Sequence, residues 1–247
     1  MDRASLKALL EREFCKRNRP EELSLARPDP LLVARAQGDE WSALICALFA
    51  YGSAKQIVAY LSSLDFSLLE RDEKAISTHR FKPYRFQNSR DVSALFLALY
   101  RLKRAHPSLC SLFLSGYKNG GTLEGIHALQ RGIWEHSARS SAGFRFLVGE
   151  AHSKSSPLKR WNMFLRWMVR KDELDLGCWA GAIPASELIL PLDTHTFKVC
   201  KKLGILKRKS YDLKAALEAT EFLKSLDSHD PIKYDFALYR LGQEREI

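Results

Sequence analysis

Asp193 stands where its residue type and position suit chemistry. The segment LPLDTHTFKVCKKLG, residues 190–204, places it after an apolar run and before a helix rich in lysine. An aspartate at a helix start accepts hydrogen bonds from backbone N–H groups, and its charge suits the positive end of the helix dipole. The same carboxylate lies beside a basic face that can bind an anionic partner. Both roles, helix cap and reacting group, therefore stay open for Asp193.

Lys159 is the second residue with chemical potential. It follows a short polar turn in SSPLKRWNMFLRWMVRK, residues 155–171, and has apolar neighbours such as Leu158 and Trp161. A lysine at a helix start meets the unfavourable end of the dipole, and apolar neighbours remove water from its amine. Both effects favour the neutral amine, which is the nucleophile. Most lysines only extend to water, and we assign that role, or phosphate contact, to Lys201, Lys202, Lys207 and Lys209.

A lysine amine and an aspartate together can cleave an N-glycosidic bond. The amine attacks the anomeric carbon of the sugar, the base leaves, and an imine forms, from which β-elimination nicks the strand. The aspartate stabilises the positive charge that develops on the sugar. Such chemistry needs the base outside the helical stack, held by aromatic side chains, and the aromatic and basic helix at 158–171 can supply them.

Metal chemistry is not expected from the histidine pattern. Asp193 and His195 form a D-x-H pair, but the remaining histidines show no spacing typical of ligands in two-metal hydrolases. These remaining histidines are His79, His106, His127, His136, His152 and His229. The five cysteines are widely spaced and form no C-x-x-C pair, which argues against a disulfide framework, a zinc site and an iron–sulfur cluster. We expect buried reduced thiols, no metal and no cofactor.

The overall charge favours a polyanionic partner. The 247 residues include 39 Lys and Arg against 29 Asp and Glu, a net charge of +10, and the pI is about 9.4. Nucleic acid is the first partner that such an excess suggests, and an anionic membrane surface the second. The chain has no apolar run of membrane-spanning length, and its first residues lack the apolar core of a signal peptide. We therefore expect a cytoplasmic protein associated with the nucleoid.

Helical periodicity dominates the chain, so the elements that must position these residues are helices. We expect an all-α fold, a compact bundle of about ten helices. Start signals stand at Ser53, Asp91 and Asp212, and a glycine-rich turn, KNGG, at 118–121. Alternating strand patterns are nearly absent.

Several motifs resemble a known superfamily. ILPLDTHTFKVCKKLGI, residues 189–205, resembles the segment of helix-hairpin-helix DNA glycosylases that carries their essential aspartate, and Asp193 falls on that aspartate. WSALICALFAYGSAKQI at 41–57 is similar to their early helix pair, and DFALYRLGQE at 235–244 to their closing helix. From PDPLLVAR to HDPIKYDFALYRLGQ, the chain also resembles a bacterial family of uncharacterised proteins.

One segment departs from the superfamily pattern. Where typical members have L-P-G-V-G-x-K, this chain has HSKSSPLKR, residues 152–160, and KDELDLGCWAGAIPASELI, residues 171–189, is inserted before the aspartate. An archaeal 8-oxoguanine glycosylase branch is similarly stretched. The resemblance implies a glycosylase with AP lyase activity that excises 8-oxoguanine, with Lys159 as the Schiff-base nucleophile and Asp193 as the charge stabiliser. Lys154 is the alternative nucleophile.

The resemblance also implies a fold and a partner. The fold would have two helical lobes, 1–35 with 140–247 and 36–139, around a central cleft, and a helix-hairpin-helix element near 141–171. The partner would be double-stranded DNA with a damaged base, bound by a monomer. The expected phosphate and DNA contacts are Lys154, Ser155, Ser156, Arg160, His195, Lys198, Ser53, Lys55 and Gln56. Trp41, Trp161 and Phe197 line the base pocket or belong to the core.

Two other functions fit the same sequence. A noncatalytic helical DNA-binding protein would use the basic surface without forming an imine, although helix 158–171 is too apolar for a helix that reads base edges. A monofunctional glycosylase for alkylated bases would release a base without nicking the strand.

Overall fold

The computed structural model of the chain describes residues 2–152 and 156–244. Within these residues twelve α-helices and four short 3-10 helices form, and the only β pairing consists of isolated bridges, so the expected all-α fold is confirmed. No helix in the described part combines the length and the apolar character needed to cross a lipid bilayer. Lys154 and Ser155 lie outside the described residues.

The α-helices range in length from six to 27 residues. The α-helices are α1 Arg3–Arg17, α2 Pro30–Gln37, α3 Glu40–Leu48, α4 Ala54–Leu61, α5 Glu73–Thr78, α6 Ser89–Ala105, α7 Leu109–Glu135, α8 Ala142–Val148, α9 Lys159–Val169, α10 Thr194–Lys202, α11 Leu213–Lys224 and α12 Asp235–Gln243. The 3-10 helices are Pro20–Glu22, Phe66–Glu70, Ala185–Glu187 and Pro231–Tyr234.

The chain divides into two compact units. The first consists of Met1–Arg27 with Lys154–Ile247, and the second of Pro28–Ser153. The lobes expected from the sequence, 1–35 with 140–247 and 36–139, have different boundaries. They placed most of α2 and all of α8 in the first lobe, whereas both helices belong to the second unit. The helix-hairpin-helix element near 141–171 would include α8 of the second unit and α9 of the first, and it stays a prediction.

In the first unit, α12 packs against both α1 and α10. Gly242 of α12 allows the close approach to α10, because a Cβ atom there would lie 2.9 Å from Val199 Cγ2. Apolar residues of α9 fill the centre of this unit, with Phe164 and Met168 fully buried. Lys159 is the first residue of α9, and Asp193 is the cap that precedes α10. The packing of this unit therefore positions both residues.

In the second unit, α2 packs against α3 and α4, while α6 packs against α5, α7 and α8. α3 is apolar on every side, and residues 41–48 are all buried. A helix that is apolar all round belongs in a core. α3 is therefore the central helix of this unit.

Helix starts follow the expected caps at two positions of three. Ser53 caps α4, and Asp212 caps α11. The expectation that Asp91 caps α6 is wrong, because the helix begins one turn earlier. Asn88 is the cap, and Asp91 completes a capping box by accepting a hydrogen bond from the Asn88 backbone nitrogen. The two residues cap one another, so either can be mistaken for the first.

The KNGG turn is present inside α7. Gly120 and Gly121 have non-helical backbone angles, and Gly121 has a φ of +71°, which favours glycine. The segments before and after this kink pack against each other through glycine. A Cβ atom at Gly116 would lie 2.3 Å from the backbone oxygen of Glu124 and 2.8 Å from Ala128 Cβ. The absence of a side chain therefore sets the distance between the two halves of α7.

The cysteines only partly follow the expectation of buried thiols. All five are free; Cys46 and Cys200 are buried, Cys110 is half-buried, and Cys15 and Cys178 are exposed. Cys15 is exposed because α1 buries the face that carries Leu6, Leu10, Glu13 and Arg17.

We expect Gly116→Ala to destabilise the chain by about 1–3 kcal/mol, because the added methyl group overlaps backbone that cannot move aside. In an open helix position the same change stabilises by about 1 kcal/mol. Urea unfolding followed by circular dichroism measures the difference. Asn119→Ala, an exposed position on the same helix, serves as the control and should change stability by less than about 0.5 kcal/mol. A Gly116→Ala chain as stable as wild type would contradict the glycine packing.

Candidate functional site

Asp193 caps α10 with one of its two carboxylate oxygens. Oδ1 accepts hydrogen bonds from the backbone nitrogens of His195, at 2.8 Å, and Thr196, at 2.7 Å. No described residue donates a hydrogen bond to Oδ2. Leu190 and Leu192 are fully buried and fix the chain that leads to the cap. Asp193 is therefore a helix cap, and it still has an oxygen available for a reacting group.

Lys159 begins α9 at a tight backbone turn. It is half-buried, between the buried side chains of Leu158 and Trp161. Leu158 has a φ of +53°, an uncommon conformation for a residue with a branched side chain, and it supplies no side-chain cap. Two bonds hold this turn: Ser156 Oγ accepts from Leu158 N at 3.2 Å, and Asn162 Nδ2 donates to the Pro157 oxygen at 3.0 Å.

Asp235 connects the two predicted catalytic residues electrostatically. Its carboxyl group, the first of α12, is buried, and burial raises its pKa to about 6. The positive charges of Arg166 and Lys159 lower the pKa of Asp235, whereas the negative charge of Asp193 raises it further. Coulomb interactions weaken with distance, so both Lys159 and Asp193 lie near this one buried acid. In the first unit, two residues that stand 34 positions apart (193 − 159) therefore both act on the charge of the same buried acid.

A cluster of charged residues, all buried except the half-buried Asp230, holds the elements around Asp235. We call it the arginine–carboxylate cluster: Arg166, Arg170, Asp175, Asp230 and Asp235. Arg166 Nη1 donates to Asp235 Oδ2 at 2.6 Å, and Arg166 Nη2 donates to Asp175 Oδ1 at 2.9 Å. Arg170 donates to Asp175 and, through Nε at 2.9 Å, to Asp230. Burial disfavours the charged guanidinium of Arg166, but Asp175 and Asp235 outweigh burial and raise its pKa.

The segment 171–189 supplies part of this cluster. Besides Asp175, it offers backbone nitrogens to the end of α9: Leu176 N donates to the Trp167 oxygen at 3.0 Å, and Trp179 N donates to the Met168 oxygen at 2.7 Å. This segment therefore closes α9 at its C-terminal end. This cluster was not predicted from the sequence, although Arg166 of α9 and Arg170, its C-cap, stand four positions apart, a spacing typical of residues on one helix face.

The predicted DNA contacts are divided between the units. In the first unit Ser156, His195 and Lys198 are exposed and Arg160 is half-buried, while in the second Ser53, Lys55 and Gln56 are exposed. Lys154 and Ser155 fall outside the described residues. The exposed residues are accessible to phosphate, which the predicted role requires.

The three predicted base-pocket residues differ in burial. Trp41 and Trp161 are buried, at 5% and 3% exposure, and both belong to the cores of their units. These values match the alternative role that the sequence left open for them. Phe197 is half-buried, makes an edge contact with Tyr211 at 5.7 Å between ring centroids, and lies four residues from Asp193.

An exposed aromatic cluster in the second unit was not predicted. Phe86 and Phe146 are 59% and 43% exposed, with ring centroids 4.9 Å apart, and Tyr51 stacks on Phe86 at 6.1 Å. The Arg85 guanidinium lies 5.9 Å from the Tyr51 ring centre and 5.7 Å from the Phe86 ring centre. The signal was available in YRF, residues 84–86, whose aromatic residues flank an arginine in a polar loop. Exposed aromatic rings beside an arginine are a surface on which nucleic acid bases stack.

One group of described side chains has metal-ligand chemistry. Glu124, His127 and His152, all in the second unit, bring three potential ligand atoms within 4.8 Å of one another. This group was not predicted from the sequence, because His127 and His152 are 25 positions apart (152 − 127). Only the fold places them together.

We expect the stability contribution of Asp235 to depend on pH. Its folded-state pKa, about 6, lies above the ordinary value of 3.8, so its contribution is complete below about pH 4 and is lost as pH rises through 6. Relative to Asp235→Asn, which cannot ionise, wild type should lose roughly 3 kcal/mol of unfolding free energy between pH 4 and pH 7. Urea unfolding of both chains across this range measures the difference.

Asp227 provides a control with the opposite shift. The hydrogen bond from Lys233 lowers its pKa to about 2, so its contribution is already complete above pH 4. The stability difference between wild type and Asp227→Asn should therefore be flat from pH 4 to pH 7. A flat difference for Asp235→Asn as well would mean that Arg166 keeps Asp235 ionised throughout.

Residues 29–244 match the model of a protein family that is described as "Protein of unknown function (DUF2400)". The matched segment contains Lys159, Asp193, Asp235 and the whole arginine–carboxylate cluster. Comparisons with curated proteins and with solved structures find no match. Because the family model covers most of the 247 residues, the chain belongs to the DUF2400 family.

Proposed function

We propose that this protein is a DNA glycosylase with AP lyase activity that excises oxidised guanine, with 8-oxoguanine as the substrate base. The observation that supports the proposal is that Lys159, the first residue of α9, and Asp193, the cap of α10, both lie near enough to the buried Asp235 carboxyl to act on its charge. The motifs around Asp193 support the choice of reaction, and the resemblance to the archaeal branch supports the choice of base.

Lys159 is the nucleophile in this proposal. Its neutral amine attacks C1′ of the damaged nucleotide, the C1′–N bond breaks, and the base leaves with the bonding electrons. The nitrogen lone pair then expels the ring oxygen O4′, so that the C1′–O4′ bond breaks and an imine forms at C1′. Loss of a proton from C2′ then breaks the C3′–O3′ bond and releases the phosphate on the 3′ side. Lys159 is half-buried at the start of α9, between the buried Leu158 and the buried Trp161 in the sequence.

Asp193 stabilises the transition state in this proposal. Positive charge develops on the sugar as the base departs, and a fixed carboxylate beside it lowers the barrier. Oδ1 is held by two backbone hydrogen bonds, which orient the group, and Oδ2 faces the sugar. The cap and the catalytic role thus use different oxygens.

The basic and aromatic surfaces bind the substrate. Ser156, Arg160, His195 and Lys198 of the first unit, with Lys154 and Ser155, contact backbone phosphates and make binding sensitive to salt. Ser53, Lys55 and Gln56 add contacts from the second unit, where the aromatic cluster offers rings for unstacked bases. The protein acts as a monomer in the cytoplasm, associated with the nucleoid.

Lys159→Ala should abolish the covalent complex that borohydride traps on a duplex with a single 8-oxoguanine, because no amine remains to form the imine. Wild type should trap, and Lys7→Ala, an exposed lysine on α1 in the same unit, should trap like wild type. Denaturing gels measure the trapped complex, and circular dichroism confirms that each variant is folded.

Two outcomes would revise this assignment. If Lys159→Ala still traps and Lys154→Ala does not, Lys154 is the nucleophile. If wild type binds the duplex but neither traps nor releases a base on any lesion of a panel, the protein is a noncatalytic DNA-binding protein. Base release without a nick, revealed by alkali, would indicate a monofunctional glycosylase.

Asp193→Asn should slow base release by about 10²-fold or more while the duplex dissociation constant changes only a few-fold, since the lost charge acts in the transition state. Asparagine caps a helix about as well as aspartate does, so the fold should persist. Single-turnover release and a binding titration measure the two quantities.

Asp212→Asn is the matched control for a cap in the same unit. Asp212 accepts from Ala215 N at 3.0 Å at the start of α11, in the way Asp193 does at α10. Its replacement should leave base release unchanged. An equal loss of binding and release in Asp193→Asn would assign Asp193 to the cap alone.

A further inference from the structure

Three side chains of the second unit converge on one point. Glu124 and His127 stand three positions apart on α7, so they share a helix face. His152 follows α8, and its φ of +62° is a conformation that non-glycine residues seldom adopt. The His127 and His152 rings lie 4.2 Å apart between centroids. Their approach comes from the fold alone, because nothing in the local sequence links the two histidines.

The distances suit ligands of one ion. Nδ1 of His127 lies 3.1 Å from Glu124 Oε1, and Nδ1 of His152 lies 3.4 Å from the same oxygen. In a tetrahedral zinc site with bonds of roughly 2.0–2.1 Å, neighbouring ligand atoms are separated by about 3.3 Å. The His152 distance is too long for a good hydrogen bond, whose N···O separation is about 2.7–3.2 Å. The spacing therefore fits an edge of a coordination tetrahedron better than a pair of hydrogen bonds.

The group is open to solvent on one side. The His127 side chain is 7% exposed, whereas the His152 side chain is 60% exposed. Arg131 Nη1 lies 3.9 Å from Glu124 Oε2, the oxygen that does not contact the histidines. Oε1 is thus available to a metal while Arg131 interacts with the other oxygen.

We propose that Glu124, His127 and His152 bind one divalent transition metal ion, with Zn²⁺ as the best fit and water as the fourth ligand. Two imidazoles and one carboxylate suit zinc and its neighbours better than the hard cations Mg²⁺ and Ca²⁺, which take oxygen ligands. The ion joins α7 to the chain that follows α8. The proposal goes beyond the glycosylase chemistry and uses none of its residues.

The test uses the full chain after treatment with a chelator. Zn²⁺ titrated by calorimetry should bind with a stoichiometry of one and raise the melting temperature, since an ion that binds the folded chain stabilises it. Co²⁺ should give the visible absorption of a four-coordinate site. His152→Ala and Glu124→Gln should each lower the Zn²⁺ affinity by at least about tenfold and reduce the rise in melting temperature.

Two variants guard against misfolding and nonspecific binding. Glu124→Gln keeps the size of the side chain and can still hydrogen bond to His127, so it should fold even if His152→Ala does not. His229→Ala removes an exposed histidine from the first unit and should bind Zn²⁺ like wild type. Absence of saturable Zn²⁺ binding by wild type, or unchanged affinity in both ligand variants, would overturn the proposal.

Discussion

The packing of the first unit depends on the buried guanidinium of Arg166, which must be paired with carboxylates. Arg166 is 4% exposed, and a lone charge at such a position would destabilise the fold strongly; removal of one partner from a buried pair costs roughly 3–5 kcal/mol. Asp175, from the segment after α9, and Asp235, at the start of α12, both meet this need. A single side chain of α9 therefore constrains two other segments. Lys159 and Asp193 both act on the charge of the Asp235 carboxyl, so the two candidate residues lie near one member of these ion pairs.

The observed cap at Asp193 is compatible with the chemical role proposed for it. A helix cap needs one carboxylate oxygen directed at the first backbone N–H groups, and Oδ1 fulfils this at both His195 and Thr196. Those bonds also hold the carboxylate still, which is what a charge that acts in a transition state requires. A capping residue and a catalytic residue are thus compatible in one side chain. The proposed glycosylase mechanism uses this division between the two oxygens.

In the second unit, glycines determine how the two halves of α7 pack against each other. Gly116 allows the halves of α7 to meet, and the Gly120–Gly121 kink turns the chain between them. The second half of α7 then presents Glu124 and His127 to His152, which is held in a left-handed conformation. Elsewhere in the unit, Arg85 is also left-handed and lies beside Phe86 in the exposed aromatic cluster. Each group thus includes one residue, His152 or Arg85, with backbone angles that L-residues rarely adopt, and such angles are frequent at functional sites.

The sequence by itself determined what depends on near neighbours. Helix periodicity, the glycine turn and the caps at Ser53, Asp193 and Asp212 were all predictable, because a cap bonds to nitrogens only two or three residues ahead. The same local reasoning chose Asp91 instead of Asn88, since two polar residues that cap one another carry the same signal. Only the tertiary structure decided that Asp235 is buried beside Arg166, and that His127 and His152 meet. Such contacts join residues 25 or more positions apart, and their geometry depends on how whole helices pack rather than on any pattern along the chain.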